Sequence, residues 1–323
     1  MKISGLSHAV LLDNNGGAKS LSFDEVQNYN KKIGLLWIHF DYSSKEAIDW
    51  IRDISGIDEV AVDALLTSET RPRTTFLDNS ILLALRGVNL NANSEPEDMI
   101  SIRLFISKDL IVSTKKRDLL SVQDILDSLK KNKGPQNSSE FLIELTDRLT
   151  SRMEATIDNL QDKASEIEEM VVESSNLQVR TEMSKVRREA IGLRRYLSPQ
   201  KEAMHKLYSH KVSWLSEYDK IQLREITDQL IRYVEELDSI NDKVTLIQEE
   251  ILNKISEQMN QRMYVLSIIS AIFLPLGFLT GLFGVNVGGL PGIENKDAFW
   301  VFSLFLGAVG VGLFYLLKRN KWI

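Results

Sequence analysis

The chain contains no cysteine, which excludes disulfide frameworks, thiolate zinc sites and cysteine nucleophiles together. Histidine is scarce as well: His8, His39, His205 and His210 are the only four. Basic residues are outnumbered, 39 against 45 acidic, and the resulting net charge of −6 argues against nucleic acid as a partner. There is no phosphate-binding glycine loop, no His-Glu-x-x-His motif and no recognisable nucleophile arrangement, so no enzyme is expected. The first residues reach Asp13-Asn14-Asn15 without a sustained apolar run. No signal peptide is therefore expected, and the soluble part should stay on the side where it is made.

What is present is unevenly spread. Hydrophobic residues at 43% and charged residues at 26% give an average typical of a soluble protein. Two runs near the C-terminus nevertheless hold no charge at all: 263–283, 21 residues, and 298–317, 20 residues. About 20 apolar residues, at about 1.5 Å each, span a hydrocarbon core of about 30 Å. Fourteen residues, 284–297, separate the runs, so a helical hairpin with both ends on one side is expected. Arg262 precedes the first run, while Lys318, Arg319 and Lys321 follow the second. The connecting loop has only Lys296, against Glu294 and Asp297. The excess of basic residues on cytoplasmic flanks then puts both termini in the cytoplasm. Trp300 and Tyr315 lie near opposite ends of the second run, where interfacial aromatics are expected.

Residues 1–135 read as a mixed α/β domain. Strand-type runs occupy 35–40, 80–90, 99–106 and 110–114, the last two joined by a turn at Ser107-Lys108-Asp109. Helical patterns occupy 45–54, 58–67 and 120–131. A break at 134–139 marks the domain boundary, and Asn137 with Glu140 forms a capping box for the next element. From Glu140 the pattern is helical, with Leu142, Leu145, Leu149, Met153, Leu160 and Val171 on one stripe. After a polar break at 174–176 the stripe resumes at Val179, and Ser198-Pro199 is expected to end that helix. A third stripe, Leu223, Ile226, Leu230, Tyr233, Leu237, Ile240, Val244, Ile247 and Ile251, keeps heptad spacing. No glycine or proline interrupts it before Pro275, so one helix from about residue 218 into the membrane is expected. Its extramembrane part is about 65 Å long at about 1.5 Å per residue. The expected organisation is a cytoplasmic α/β domain (1–135), a helical stalk (136–262), a pore-lining transmembrane helix (263–283), a periplasmic loop (284–297), a second transmembrane helix (298–317) and a cytoplasmic tail (318–323).

Between residues 225 and 257 the stalk carries nine acids against three bases. Two readings fit that excess: a solvated coiled-coil face, or an acidic vestibule for cations if several stalks surround an axis. Two helices cannot enclose a water-filled path. The hairpin is therefore either an anchor, or one of several copies that build a pore together. Its first helix carries Ser267, Ser270, Gly277, Thr280, Gly281 and Gly284; these serve either a pore or close packing between helices. Neither helix contains a carboxylate, lysine or histidine of the kind proton-relaying pumps carry.

The segment Phe283-Gly284-Val285-Asn286-Val287-Gly288-Gly289-Leu290-Pro291-Gly292 resembles the Gly-Met-Asn signature of CorA-type divalent-metal transporters. Val285 in the middle place, and Val-Gly-Gly-Leu-Pro-Gly after it, are similar to the ZntB zinc-transporter branch. So are Glu69-Thr70-Arg71-Pro72-Arg73, Leu85-Arg86-Gly87-Val88-Asn89-Leu90 and Pro96-Glu97-Asp98-Met99-Ile100-Ser101-Ile102-Arg103, so the resemblance spans essentially the whole chain. It implies a CorA-like funnel: a homopentamer in the bacterial inner membrane, partnered by the bilayer and by divalent cations. Gly284, Val285 and Asn286 would form the selectivity mouth. Asn260, Met263, Leu266, Leu274 and Gly277 would line the pore, with Glu249, Glu294 and Asp297 attracting cations. Val285 in place of methionine favours zinc over magnesium.

The expected activity is movement of Zn2+, with Cd2+, Ni2+ and Co2+ as further candidates, as proton-coupled uptake, the metal being substrate and not cofactor. Efflux, a magnesium or cobalt channel of the same fold, and a membrane-anchored coiled-coil scaffold are the alternatives. Arg71-Pro72-Arg73 and Arg86-Gly87 read as packing and salt-bridge elements. His205 and His210 read as surface residues, and no structural metal site is assigned, to His39 and Asp41 included.

Overall fold

A computed structural model describes residues 5–27, 34–53, 55–68, 70–173, 177–284 and 295–320. The chain divides into two compact units, 1–247 and 248–323. The first is built on a seven-stranded sheet in the order β2-β1-β3-β7-β6-β5-β4. Its strands are β1 (Leu6–Leu12), β2 (Ala18–Ser20), β3 (Leu36–Asp41), β4 (Arg73–Leu77), β5 (Ser80–Gly87), β6 (Ile100–Ile106) and β7 (Leu110–Lys115). Only the central pair β3–β7 is parallel; the remaining neighbours are antiparallel. Both central strands are buried on both faces, which is why they read as unbroken apolar runs instead of alternating ones.

Short helices α1 (Phe23–Gln27), α2 (Lys45–Asp53) and α3 (Glu59–Leu66) cover one face. There Leu36, Ile38, Phe40 and Val112 pack with Ala47, Trp50, Ile51 and Leu65. Asp58 caps α3 by accepting from the Val60 amide at 2.9 Å. The opposite face meets α4 (Leu120–Lys130) and the start of α5 (Ser138–Glu173), where Trp37 and Phe141 stand edge to face at 4.7 Å. Gly87 lets the sheet approach these helices closely: a Cβ there would lie 2.8 Å from Leu119 and Leu149 side-chain carbons.

The start of α5 carries the expected capping box. Asn137 Oδ1 accepts from the Glu140 amide at 3.0 Å, and Glu140 Oε2 accepts from the Gln136 amide at 2.8 Å. Helix α6 (Leu177–Ser209) corrects one expectation, because it runs straight through Ser198-Pro199. Proline removes one helical hydrogen bond, but tertiary ties hold the chain helical beyond it. Gln200 clasps the β5 backbone, accepting from the Arg86 amide at 2.7 Å and donating to its carbonyl at 3.1 Å. Thr74 donates to the Ala203 carbonyl at 2.7 Å, and Ala203, Met204 and Leu207 are buried. Packing overrides the local preference.

Helix α7 (Glu217–Phe283) is continuous for 67 residues, with Pro275 inside it. Within the first unit its stripe from Leu223 to Ile247 is buried throughout. Lys243 of α7 bridges to α5, pairing with Glu168 at 2.7 Å and donating to Ser165 Oγ at 3.1 Å. Arg194 of α6 pairs with Asp238 of α7. The second unit holds the rest of α7 and α8 (Ala298–Arg319). Both helices are long and apolar enough to cross a membrane, and neither buries any part of its apolar window.

Candidate functional site

The candidate pathway lies on the apolar end of α7. At about 100° per residue, with Asn260 at zero, Glu249, Met263, Leu266, Leu274 and Gly277 fall between about 240° and 340°, one face centred near 300°. All six are exposed, with Met263, Leu266 and Leu274 between 58% and 73% accessible. Helix α8 meets a different face. Phe283 packs against Phe302 with centroids 5.0 Å apart, and a Cβ on Gly310 would lie 3.7 Å from Leu276 Cδ1. Leu276 and Phe283 lie at about 160° and 140°, roughly 150° away from the Asn260 face. A Cβ on Gly277 or Gly281 would meet nothing within 4 Å. Gly277 and Gly281 are thus not packed against α8 among the described residues.

At the end of the helix the Gly284 amide donates to the Thr280 carbonyl at 2.9 Å, and Thr280 Oγ1 donates to the Gly277 carbonyl at 3.0 Å. Val285, Asn286 and Glu294, expected at the mouth, lie outside the described residues, as does Glu69. Asp297 is described: it stands exposed at the start of α8, and its carbonyl accepts from the Val301 amide at 3.1 Å. Between 263 and 283, without a carboxylate, lysine or histidine, that face offers an ion carbonyls, small hydroxyls and apolar constriction, with the Asn260 amide just before it.

The acidity of α7 is matched by that of α5, whose sequence carries ten acids against three bases between 138 and 173. Burial pushes the Glu236 carboxyl above its ordinary range, with further help from Asp158 and Glu154 of α5 and opposition from Arg232. The local cluster of charge is therefore shared by two helices. Only the relative rotation of α5 and α7, a tertiary property, brings these carboxylates together.

The histidines are not gathered. His39 is fully buried, with Nδ1 2.7 Å from Ser113 Oγ, and Ser113 Oγ also accepts from Trp37 Nε1 at 2.8 Å. Burial, then Lys115 and His8, lowers its pKa to about 3. His8, its cross-strand neighbour, stacks on it at 6.2 Å and is likewise lowered, chiefly by burial. His205 and His210 are exposed, resting on Tyr208 at 5.0 Å and Phe76 at 3.9 Å. Among the described residues no group of three or more His, Asp or Glu side chains is placed to hold a metal ion. Arg86 serves the fold, donating to the Met99 and Thr70 carbonyls at 2.8 and 3.1 Å.

An α/β and helical unit and two candidate membrane spans, the first of them the end of the continuous helix α7, define the class of a membrane-associated protein. The chain belongs to the family described as CorA-like Mg2+ transporter protein, which matches residues 33–319. Members of this family are ion transporters and not enzymes, and their metal is transported substrate, not cofactor. The chain is 37% identical over 326 residues to the divalent cation transporter CmaX of Pseudomonas aeruginosa, covering 99% of this chain and 97% of that one. It is 33% identical over 323 residues to the zinc transport protein ZntB of Yersinia enterocolitica, covering 100% and 98%. The structure of full-length CmaX superimposes with a TM-score of 0.86 at 36% identity, over 100% of this chain and 99% of that chain.

Proposed function

We propose that the chain is one subunit of a homopentamer that moves Zn2+ across the bacterial inner membrane, with both termini cytoplasmic. The observation that carries this reading is the Asn260–Gly277 face of α7, turned away from α8 and exposed among the described residues. Copies arranged around an axis give that face a use, and the first transmembrane helix of each then lines the path. The likeness to zinc and divalent-cation transporters supports the substrate class, and Val285 in the mouth motif favours zinc. Gly284, Val285 and Asn286 meet the incoming hydrated ion, while Glu294 and Asp297 raise its local concentration.

Direction follows from energetics. A potential negative inside favours entry by about 2.3 kcal/mol per charge at about 100 mV, hence about 4.6 for a divalent ion. No nucleotide motif is present to drive export against that, so the proposed direction is uptake, coupled to the proton gradient. With no carboxylate, lysine or histidine in the spans, the coupling uses the stalk, the loop or a histidine.

The test is zinc flux into proteoliposomes loaded with a zinc-sensitive dye, with and without an inward proton gradient, for the wild type and Asn286→Ala. Flux that rises with the gradient and falls at least about tenfold in the variant supports proton-linked uptake through this mouth. Magnesium flux in the absence of zinc flux would overturn the substrate assignment. Flux indifferent to pH would overturn the coupling. A folded oligomer that conducts neither ion would return the anchor reading.

A further inference from the structure

A contact between a sheet connection and α6, away from the proposed pathway, lies in the first unit. Residues 88–99 join β5 to β6 and are tied down on two sides. On one side Arg117 engages Asp98, its NH2 group donating to Oδ1 at 3.2 Å, and Asn91 Nδ2 donates to the Asp118 carbonyl at 3.2 Å. On the other side Glu97 lies against α6 at Gly192. A Cβ on Gly192 would stand 2.7 Å from Glu97 Cβ and 3.0 Å from its Cγ, so a larger residue there would displace Glu97.

The neighbouring acids of this connection are held differently. Asp98 has its arginine, whose hydrogen bond keeps the carboxyl below the ordinary range. Glu97 Oε2 is buried and has no hydrogen-bond partner among the described residues. Three residues before Gly192, and so on the same face of α6, stands Glu189. Its side chain is only 15% exposed, and its ion pair with Lys163 of α5 is long, at 3.6 Å. The charges acting on it from the surrounding elements are Lys163, Glu97 and Glu95, two like against one opposite. Burial moves its carboxyl above the ordinary value of 4.5; Lys163 opposes this, while Glu97 and Glu95 add to it. A buried carboxylate oxygen without a donor is costly, and two carboxylates in one site resist ionising together. One proton relieves both costs.

We propose that Glu97 and Glu189 share one proton, and that this proton latches the β5–β6 connection onto α6. With it bound, one carboxyl supplies the O–H that Glu97 Oε2 lacks. Without it, two carboxylates stand together with Lys163 alone to offset them, and the connection releases from α6 while Arg117 keeps its other side in place. The latched state holds the proton more tightly than the released one. Latching is therefore complete below about 4.5 and is lost as pH rises through the raised value of Glu189. The latch is built within the first unit, and neither the zinc assignment nor the coupling of transport enters into it.

The test is hydrogen exchange of the full-length protein in detergent at pH 5 and pH 8, read by mass spectrometry and corrected for the intrinsic pH dependence of exchange. Opening of 88–99 should increase about tenfold over this range in the wild type, while the central strands β3 and β7 keep their protection. Glu97→Gln and Glu189→Gln each remove a charge with little change of shape, so each should keep the connection closed at pH 8 and flatten the profile. Gly192→Ala should raise exchange of 88–99 at both pH values, since it displaces Glu97 whatever its charge; circular dichroism checks its folding. Exchange of 88–99 that does not vary with pH in the wild type would overturn the proposal. So would a wild-type profile that persists in both glutamine variants. Protection lost in β3 and β7 together with 88–99 as pH rises would overturn it too, because the effect would then be global unfolding.

Discussion

Two stretches of the same helix behave in opposite ways. Between Leu223 and Ile247, α7 carries an apolar stripe at heptad spacing, and every member of it is buried within the chain against its own neighbours. Between Met263 and Leu274 it is more apolar still, yet Met263, Leu266 and Leu274 are each more than half exposed. The backbone is continuous, so helix propensity does not distinguish them. The difference is what covers them. The first stretch has α5 and α6, tied on by Lys243 with Glu168 and by Arg194 with Asp238. Among the described residues the second meets α8 on one side, and its remaining surface is exposed. An apolar stripe in a sequence states that something covers it; whether that something belongs to the same chain has to be read from packing.

The contrast can be broken most sharply at the seam of the first stretch. Leu237 is fully buried, and Leu237→Ala should cost about 2–5 kcal/mol through lost transfer energy and the cavity left behind, measured by denaturant unfolding of the full chain in detergent. A loss below about 1 kcal/mol would mean that the seam is loosely packed.

A second, smaller effect follows from protonation. The apolar end of α7 contains no acid, base or histidine from 265 to 283, so acid sensitivity of the fold must come from elsewhere. His39 is the strongest candidate, lowered to about 3 by burial. A depressed histidine contributes stability that is full above its unfolded pKa of about 6.5 and is lost as pH falls through the window from 6.5 toward 3. By pH 5 the loss from this group is about 2 kcal/mol. His39→Gln should flatten the pH dependence of thermal unfolding between pH 7 and 5, leaving a residue from His8. An unchanged slope would remove His39 as its source.

The exposed stretch should respond less. Leu274→Ala is expected to change unfolding by less than about 1 kcal/mol, because little apolar area is buried there in the chain, while altering ion flux. The smallest effect is expected at the Arg194–Asp238 pair, both partners of which are nearly half exposed. Its removal by Asp238→Asn should cost about 0–1 kcal/mol, less in high salt.

Much of this architecture was legible in the sequence, for physical reasons. The buried strands β3, β5, β6 and β7 announce themselves as apolar runs, and α7 as a heptad stripe that flows into a charge-free segment. Strands β1, β2 and β4 carry no such signal. β2 is three residues long, and β4, Arg73–Leu77, mixes polar and apolar positions at a sheet edge, so neither has enough pattern to stand out. Helix α6 was cut short at Pro199 because local propensity says so, whereas Gln200 and Thr74 overrule it from the sheet. At the candidate pathway the α7 residues are expected from the family resemblance, and their helical spacing is consistent with one face. The freedom of that face from α8 was not readable, and neither was the pairing of Glu236 with Asp158 and Glu154, because both depend on how helices are rotated against one another.

The most direct test uses what the chain lacks. With no native cysteine, single thiols can be placed on α7 without background. Leu274→Cys and Gly277→Cys lie on the proposed pore face, and Leu276→Cys on the face toward α8. A water-soluble, thiol-reactive cation applied to proteoliposomes should block zinc flux through the first two and leave the third unaffected. Block at Leu276→Cys with none at Leu274→Cys or Gly277→Cys would contradict the account.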